Sequence, residues 1–194
     1  GTFGKAAYEF ADFLQSAGQS YWQMLPLGPT SYGDSPYQSF STFAGNPYFI
    51  DLDLLVKDGL LTQDEVDACS WGTQPRYVDY GKIYESRFLL LQKAKDRGWQ
   101  RDVAKVAAFA AENSGWLPDY TLFMACKRHF GMCSWLEWPD EKLRLRDKAA
   151  LERYRGELRE DVEFFTYLQF LFYQQWTALR EYLHQKNIQV IGDL

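Results

Sequence analysis

The chain has 194 residues, a formal net charge of −5 and an apolar content of 46%. That length allows one domain with a sizeable core, the acidic balance argues against nucleic acid as a partner, and the absence of any run of about 18 apolar residues argues against a membrane span. Aromatic residues make up 18% of the chain, as 7 Trp, 13 Tyr and 14 Phe; many belong to a core, and the excess leaves some for a binding surface.

In chain order, Phe3, Ala6, Ala7, Phe10, Phe13, Leu14 and Ala17 recur at helical spacing, and Gly18 is a natural C-terminal stop. Residues 21–27, YWQMLPL, form a short run of large apolar side chains bounded by a Gly/Pro cluster, which predicts a buried strand. A long loop follows to about Pro47, with rings and small polar groups alternating: Tyr32, Asp34, Ser35, Tyr37, Gln38 and Asn46. The tyrosines offer flat apolar faces with a hydroxyl at the rim, and their neighbours offer hydrogen-bond groups of both signs. A sugar ring has an apolar face and an edge of hydroxyls, so this mixture suits a glycan. Thr62 and Glu65 in TQDE form a capping box for a short helix.

From residue 83 to 156 the pattern is helical almost throughout. Helices are predicted over 83–97 and 101–113, and a third runs to about Gly131 with Pro118 in its first turn. SWLEWPD, residues 134–140, reads as a loop carrying two indoles, and the charge-rich segment 141–154 as a solvated face. The last and longest helix is predicted over 158–185, with Leu158, Val162, Phe165, Phe172, Trp176, Leu179 and Leu183 in one stripe too broad and aromatic for a coiled-coil seam. Residues 188–194, IQVIGDL, read as a second buried strand centred on Val190 and Ile191.

Helix, strand, helical insertion, helix, strand is the order of a parallel α/β sheet or barrel. The predicted fold class is therefore α/β, a partial (β/α)8 TIM barrel with a large α-helical insertion. Residues 1–55 are an early barrel segment, 56–156 a mainly helical subdomain, and 157–194 a barrel helix with its following strand. Loops after barrel strands line the active-site face, which puts the loop GPTSYGDSPYQ and Asp193 at the same end of the sheet.

Cys69, Cys126 and Cys133 lack a disulfide-rich spacing and read as reduced thiols of a cytoplasmic protein. Cys126, His129 and Cys133 share one face of a helix at i, i+3 and i+7, but no fourth ligand is evident, so a small buried face is expected and no metal or cofactor. His184 is the only other histidine, which leaves almost no material for a Ser/His/Asp triad. No signal peptide is visible. The chain starts at Gly1 without an initiating Met and ends at Leu194 inside an expected strand, so both ends read as cut from a longer protein.

The segment YWQMLPLGPTSYGDSPYQSFSTFAGNP resembles the signature of the bacterial 4-α-glucanotransferases, or amylomaltases. FGKAAYEFADFL before it, and YVDYGKIY, WLPDYTLFMACK, FLFYQQWTALREYL and IGDL after it, follow the same family's order across nearly the whole chain. The resemblance implies a (β/α)8 barrel with helical insertions that acts on maltooligosaccharides and other α-1,4-glucans by a retaining double displacement. An aspartate nucleophile and a glutamate acid/base would lie downstream of this chain, so the chain alone would be inactive.

The resemblance assigns Tyr37 to packing against the sugar next to the cleaved bond, with Ser35 and Asp34 beside it. It assigns Tyr32 and Tyr84 to binding of longer glucan away from that bond. Asp193 matches the aspartate of an early barrel-strand motif, with a role in orientation or support. Read from the residues alone, core packing competes at Tyr37 and Tyr84, and turn formation competes at Asp34. Two other readings of the chain stay open at this point: a hydrolase of the amylase type, in which water replaces the acceptor sugar, and a non-catalytic glycan-binding module.

Overall fold

A computed structural model describes residues 1–30, 34–73 and 77–193. The described elements are helix α1 (Lys5–Ser16), strand β1 (Tyr21–Gln23), helices α2 (Leu52–Lys57), α3 (Gln63–Asp67), α4 (Tyr80–Glu112), α5 (Leu117–His129), α6 (Glu141–Arg144), α7 (Lys148–Glu157) and α8 (Arg159–Gln185), and strand β2 (Gln189–Ile191). Single 3-10 turns at Pro47–Phe49 and Trp135–Glu137 interrupt the loops.

β1 and β2 pair in parallel, Trp22 opposite Val190 and Gln23 opposite Ile191. Both strands are shorter than the sequence predicts, and neither is buried: each alternates exposed, half-buried, exposed. Tyr21, Leu25 and Ile191 keep much of their surface. The physical reason is the size of the sheet. Each strand is hydrogen-bonded to one neighbour among the described residues, and apolar strand side chains are covered only where further layers pack on them.

The two helices predicted over 83–97 and 101–113 are one continuous helix, α4. Gly98, which lies between the two predicted stretches, is buried inside it. A helix-interior glycine costs only about 1 kcal/mol relative to alanine, and the buried positions Leu90, Leu91, Ala94 and Val106 hold both halves. α3 begins with the expected capping box: Thr62 accepts from the Glu65 amide and the Glu65 side chain accepts from the Thr62 amide. Pro118 sits in the first turn of α5.

The chain divides into two compact units, one of residues 1–101 with 169–194 and one of residues 102–168, so the divisions fall within α4 and α8. In the first unit, Phe3 packs against Phe49, Phe172 and Trp176 at 5.5, 5.1 and 5.5 Å between ring centroids. In the second, Tyr167, fully buried, donates to the Asp102 carboxylate at 2.9 Å, and Trp138 packs against Phe123 and Phe130.

The segment after the long loop is fastened to α8 by two buried glutamines, which present amide groups much as a neighbouring strand would. Gln169 accepts from the Gly45 amide at 2.8 Å and donates to the Gly45 carbonyl at 2.9 Å. Gln175 does the same at Asp51, at 2.7 and 3.1 Å. Approach is so close that a Cβ on Gly45 would fall 2.2 Å from the Phe172 ring. Asp51 also caps α2 through the Leu54 amide and accepts from Thr2, while Arg87 donates to the Ile50 carbonyl.

Candidate functional site

The loop between β1 and the turn at Pro47–Phe49 is closed at its base, where the Asn46 amide donates to the Leu27 carbonyl at 2.9 Å. Asn46 is buried and its side chain caps the turn by accepting from the Tyr48 amide at 2.9 Å. Within the loop, Ser39 Oγ donates to the Ser41 carbonyl and lies where a Cβ on Gly28 would meet it at 2.7 Å. The loop is therefore pinned at its base, and its Ser39 side chain packs back against Gly28. Of the expected site residues, Tyr32 lies outside the described residues.

Asp34 adopts a left-handed backbone with φ of 54°, a conformation that aspartate tolerates better than most side chains. Ser35 builds the turn that follows: its Oγ accepts from the Tyr37 amide at 3.3 Å and its carbonyl accepts from the Gln38 amide at 3.2 Å. Together these bonds aim Tyr37 outward, 56% exposed. Its hydroxyl donates to Asp193 Oδ2 at 3.0 Å, across 156 residues of sequence. Asp193 follows β2 as the loop follows β1, and the parallel pairing puts both at the C-terminal end of the sheet. Donation to the Asp193 carboxylate holds the Tyr37 phenol above its ordinary range, since losing the proton would leave two anions in contact.

A second grouping forms around Tyr48. Its ring centroid is 6.0 Å from Tyr80 and 6.3 Å from Phe88, and Phe88 is 5.0 Å from Tyr84. Burial pushes the Tyr48 phenol up to about 12, and the Asp34 carboxylate adds to the effect. Tyr80 and Tyr84 each keep about two-fifths of their surface. They lie four residues apart, on the same face of α4. The arrangement can do two things chemically. It offers a hydroxyl–carboxylate pair at the end of a parallel sheet, and it offers tyrosine faces backed by an aromatic cluster.

Sequence reasoning did not single out Tyr48 or Tyr80. Tyr80 carried a usable signal, standing one helical turn before Tyr84, whereas Tyr48 is marked only by the Asn46–Pro47 cap before it. Cys126 is fully buried, which pushes its thiol up to about 11, and His129 packs edge-on against Phe130 at 4.7 Å. Among the described residues no group of three His, Cys, Asp or Glu side chains is arranged to hold a metal ion.

With this geometry established, comparison with known proteins identifies the family. A sequence profile of the 4-alpha-glucanotransferases matches residues 1–194. The chain belongs to the 4-α-glucanotransferase family. It is 48% identical over 194 residues to the 4-alpha-glucanotransferase of Clostridium butyricum, covering all of this chain and 40% of that protein. Against the Thermus thermophilus 4-alpha-glucanotransferase, identity is 42% over 198 residues, with 38% of that protein covered. Among solved structures, the amylomaltase from Streptococcus agalactiae in complex with acarbose superposes with a TM-score of 0.97 at 43% identity, over all of this chain and 39% of that one. The chain thus spans about two-fifths of the length of the 4-α-glucanotransferases it matches. No helix among the described residues is long and apolar enough to cross a membrane.

Proposed function

We propose that this chain forms the donor-side part of a 4-α-glucanotransferase that moves α-1,4-glucan segments between maltooligosaccharides. In this reading the two parallel strands belong to a (β/α)8 barrel with residues 56–156 as a mainly helical subdomain, and the enzyme works in the cytoplasm without a cofactor. The reaction is a retaining double displacement in which an aspartate nucleophile forms a glycosyl-enzyme and a glutamate acts as acid and then base. Both carboxylates come from residues of the full-length enzyme outside this chain. The chain supplies Tyr37 as a face for the sugar next to the cleaved bond, with Ser35 and Asp34 shaping the turn that presents it and Asp193 holding its hydroxyl. Tyr32 and Tyr84 bind glucan further from that bond.

The observation that carries the reading is the Tyr37–Asp193 hydrogen bond. It fixes an exposed ring at the sheet end where α/β enzymes place their chemistry. The test is to incubate the full-length enzyme carrying this chain with maltotriose and separate the products. Glucose together with maltopentaose and longer glucans is the expected outcome. Glucose and maltose alone would mean hydrolysis and would overturn transfer; unchanged maltotriose would overturn an enzymatic role.

A further inference from the structure

The unit of residues 102–168 carries a cleft of about 260 Å³. Most of its wall is apolar: Phe123 from α5, Trp135 and Trp138 from the following loop, Leu143 from α6 and Leu151 from α7. Part of that wall is fixed, since Trp138 and Leu143 are buried and the Trp138 ring packs on Phe123 and Phe130 at 5.8 and 5.5 Å. Trp135, by contrast, is 47% exposed and open to a visiting group. Pockets for drug-sized molecules run from about 300 to 1,000 Å³, so this cleft takes one ring or branched chain with a short tail. Such a lining selects an apolar body. A sugar, with a hydroxyl on nearly every carbon, would lose hydration at these side chains without replacement.

The charged part of the wall decides the polar end of the ligand. It consists of Asp119, Arg144 and Arg146. Arg146 is paired with Asp119 at 2.8 Å. Arg144 is partly exposed, donates from Nη1 to the Leu136 carbonyl at 3.1 Å, and makes no ion pair among the described residues. Three acidic residues of the surrounding segment are engaged elsewhere: Glu137 accepts from the Ser134 amide, Asp140 caps α6 and pairs with Arg153, and Asp147 caps α7. The cleft wall therefore carries one positive charge beyond what its own carboxylate balances. A guanidinium meets a carboxylate as a fork of N–H donors. One unbalanced charge calls for a monoanion, because a phosphate dianion would place a second negative charge on a wall that already holds the Asp119 carboxylate.

We propose that this cleft binds a small apolar monocarboxylate, a ring or branched chain whose short tail ends in one carboxylate. The apolar body lies among Phe123, Trp135 and Trp138, and the carboxylate accepts from the Arg144 guanidinium. The proposal does not depend on the reading of the protein as an enzyme of α-glucans.

The test titrates the full-length protein with 3-phenylpropionate and with its uncharged counterpart 3-phenylpropionamide, followed by calorimetry. The acid should bind about tenfold more tightly than the amide, the margin of a charge-assisted hydrogen bond over a neutral one. In protein labelled with 5-fluorotryptophan, the fluorine resonances of Trp135 and Trp138, assigned through Trp135→Phe and Trp138→Phe, should shift with the acid and stay in place with maltose. Arg144→Gln should bring the acid down to the affinity of the amide, and Arg144→Lys should keep most of the margin. Equal affinity for acid and amide in wild type overturns the proposal, as do indole resonances that ignore the acid or that answer to maltose instead. If circular dichroism shows that Arg144→Gln has lost helix, the salt response of wild type decides: about 0.5 M NaCl should weaken the acid several-fold and leave the amide unchanged, and a common response of the two overturns the role of Arg144.

Discussion

Replacing Gln169 with Leu removes both bonds that fasten Gly45 to α8 while keeping a side chain of similar bulk in the core. Gln169 is fully buried and its bonds measure 2.8 and 2.9 Å. The Gly45 amide and carbonyl are then left without partners in a buried place, at about 1–3 kcal/mol each, or about 2–6 kcal/mol together. For a protein of this size a loss of 1 kcal/mol lowers Tm by about 2–4 °C, so a fall on the order of 10 °C is expected by calorimetry. Hydrogen exchange should show the Gly45 amide losing protection. Gln175→Leu is the control: it should cost comparable stability by freeing Asp51, yet leave Gly45 protected. Because Gly45 ends the loop that presents Tyr37, Gln169→Leu should also lower the transfer rate below that of Gln175→Leu. A Tm within about 2 °C of wild type, with Gly45 still protected, would refute the account of how the loop is held.

Tyr37→Ala in the full-length enzyme should lower transfer from maltotriose on the order of ten- to a thousandfold with the fold intact, since one positioned contact at the reacting sugar is lost; near-normal turnover would argue against Tyr37 as a sugar contact. Tyr84→Ala and Tyr32→Ala should each impair the use of long glucans more than of maltotriose, and equal losses on both substrates would assign these rings to packing. Folding stability should fall at alkaline pH through Tyr48. Its folded-state value is raised to about 12 from 10.0, so its contribution is complete below pH 10 and is lost as the pH rises through about 12. Denaturant titrations of wild type and Tyr48→Phe between pH 9 and 12 measure this, and parallel pH profiles for the two proteins would exclude Tyr48 as the source.

How legible the chain is depends on the range over which each signal acts. The Thr62–Glu65 capping box and the course of α8 are local patterns, and both stand in the structure close to where sequence places them. The shared location of the loop after β1 and Asp193 follows from helix–strand alternation, a rule of connectivity. The Tyr37–Asp193 bond goes further, because its partners are separated by 156 residues and meet only through the pairing of β1 with β2. The predicted break between residues 97 and 101 is absent because the one glycine there, Gly98, shifts local preference by less than tertiary packing restores. Val190 and Ile191 misled because apolar content predicts burial only where another layer arrives. Gln169 and Gln175 carried no warning at all: a glutamine on a long helix reads as surface, and only the folded chain shows the backbone groups they meet.

The loop closure at Leu27 and Asn46 and the glutamine anchor at Gly45 hold the two ends of the stretch between them. Between those ends Tyr37 and Phe43 tie it to the rest of the fold, through the Asp193 carboxylate and the Tyr173 hydroxyl. Any replacement of this stretch must therefore keep Gly45 as glycine beneath the Phe172 ring and supply partners for Asp193 and Tyr173.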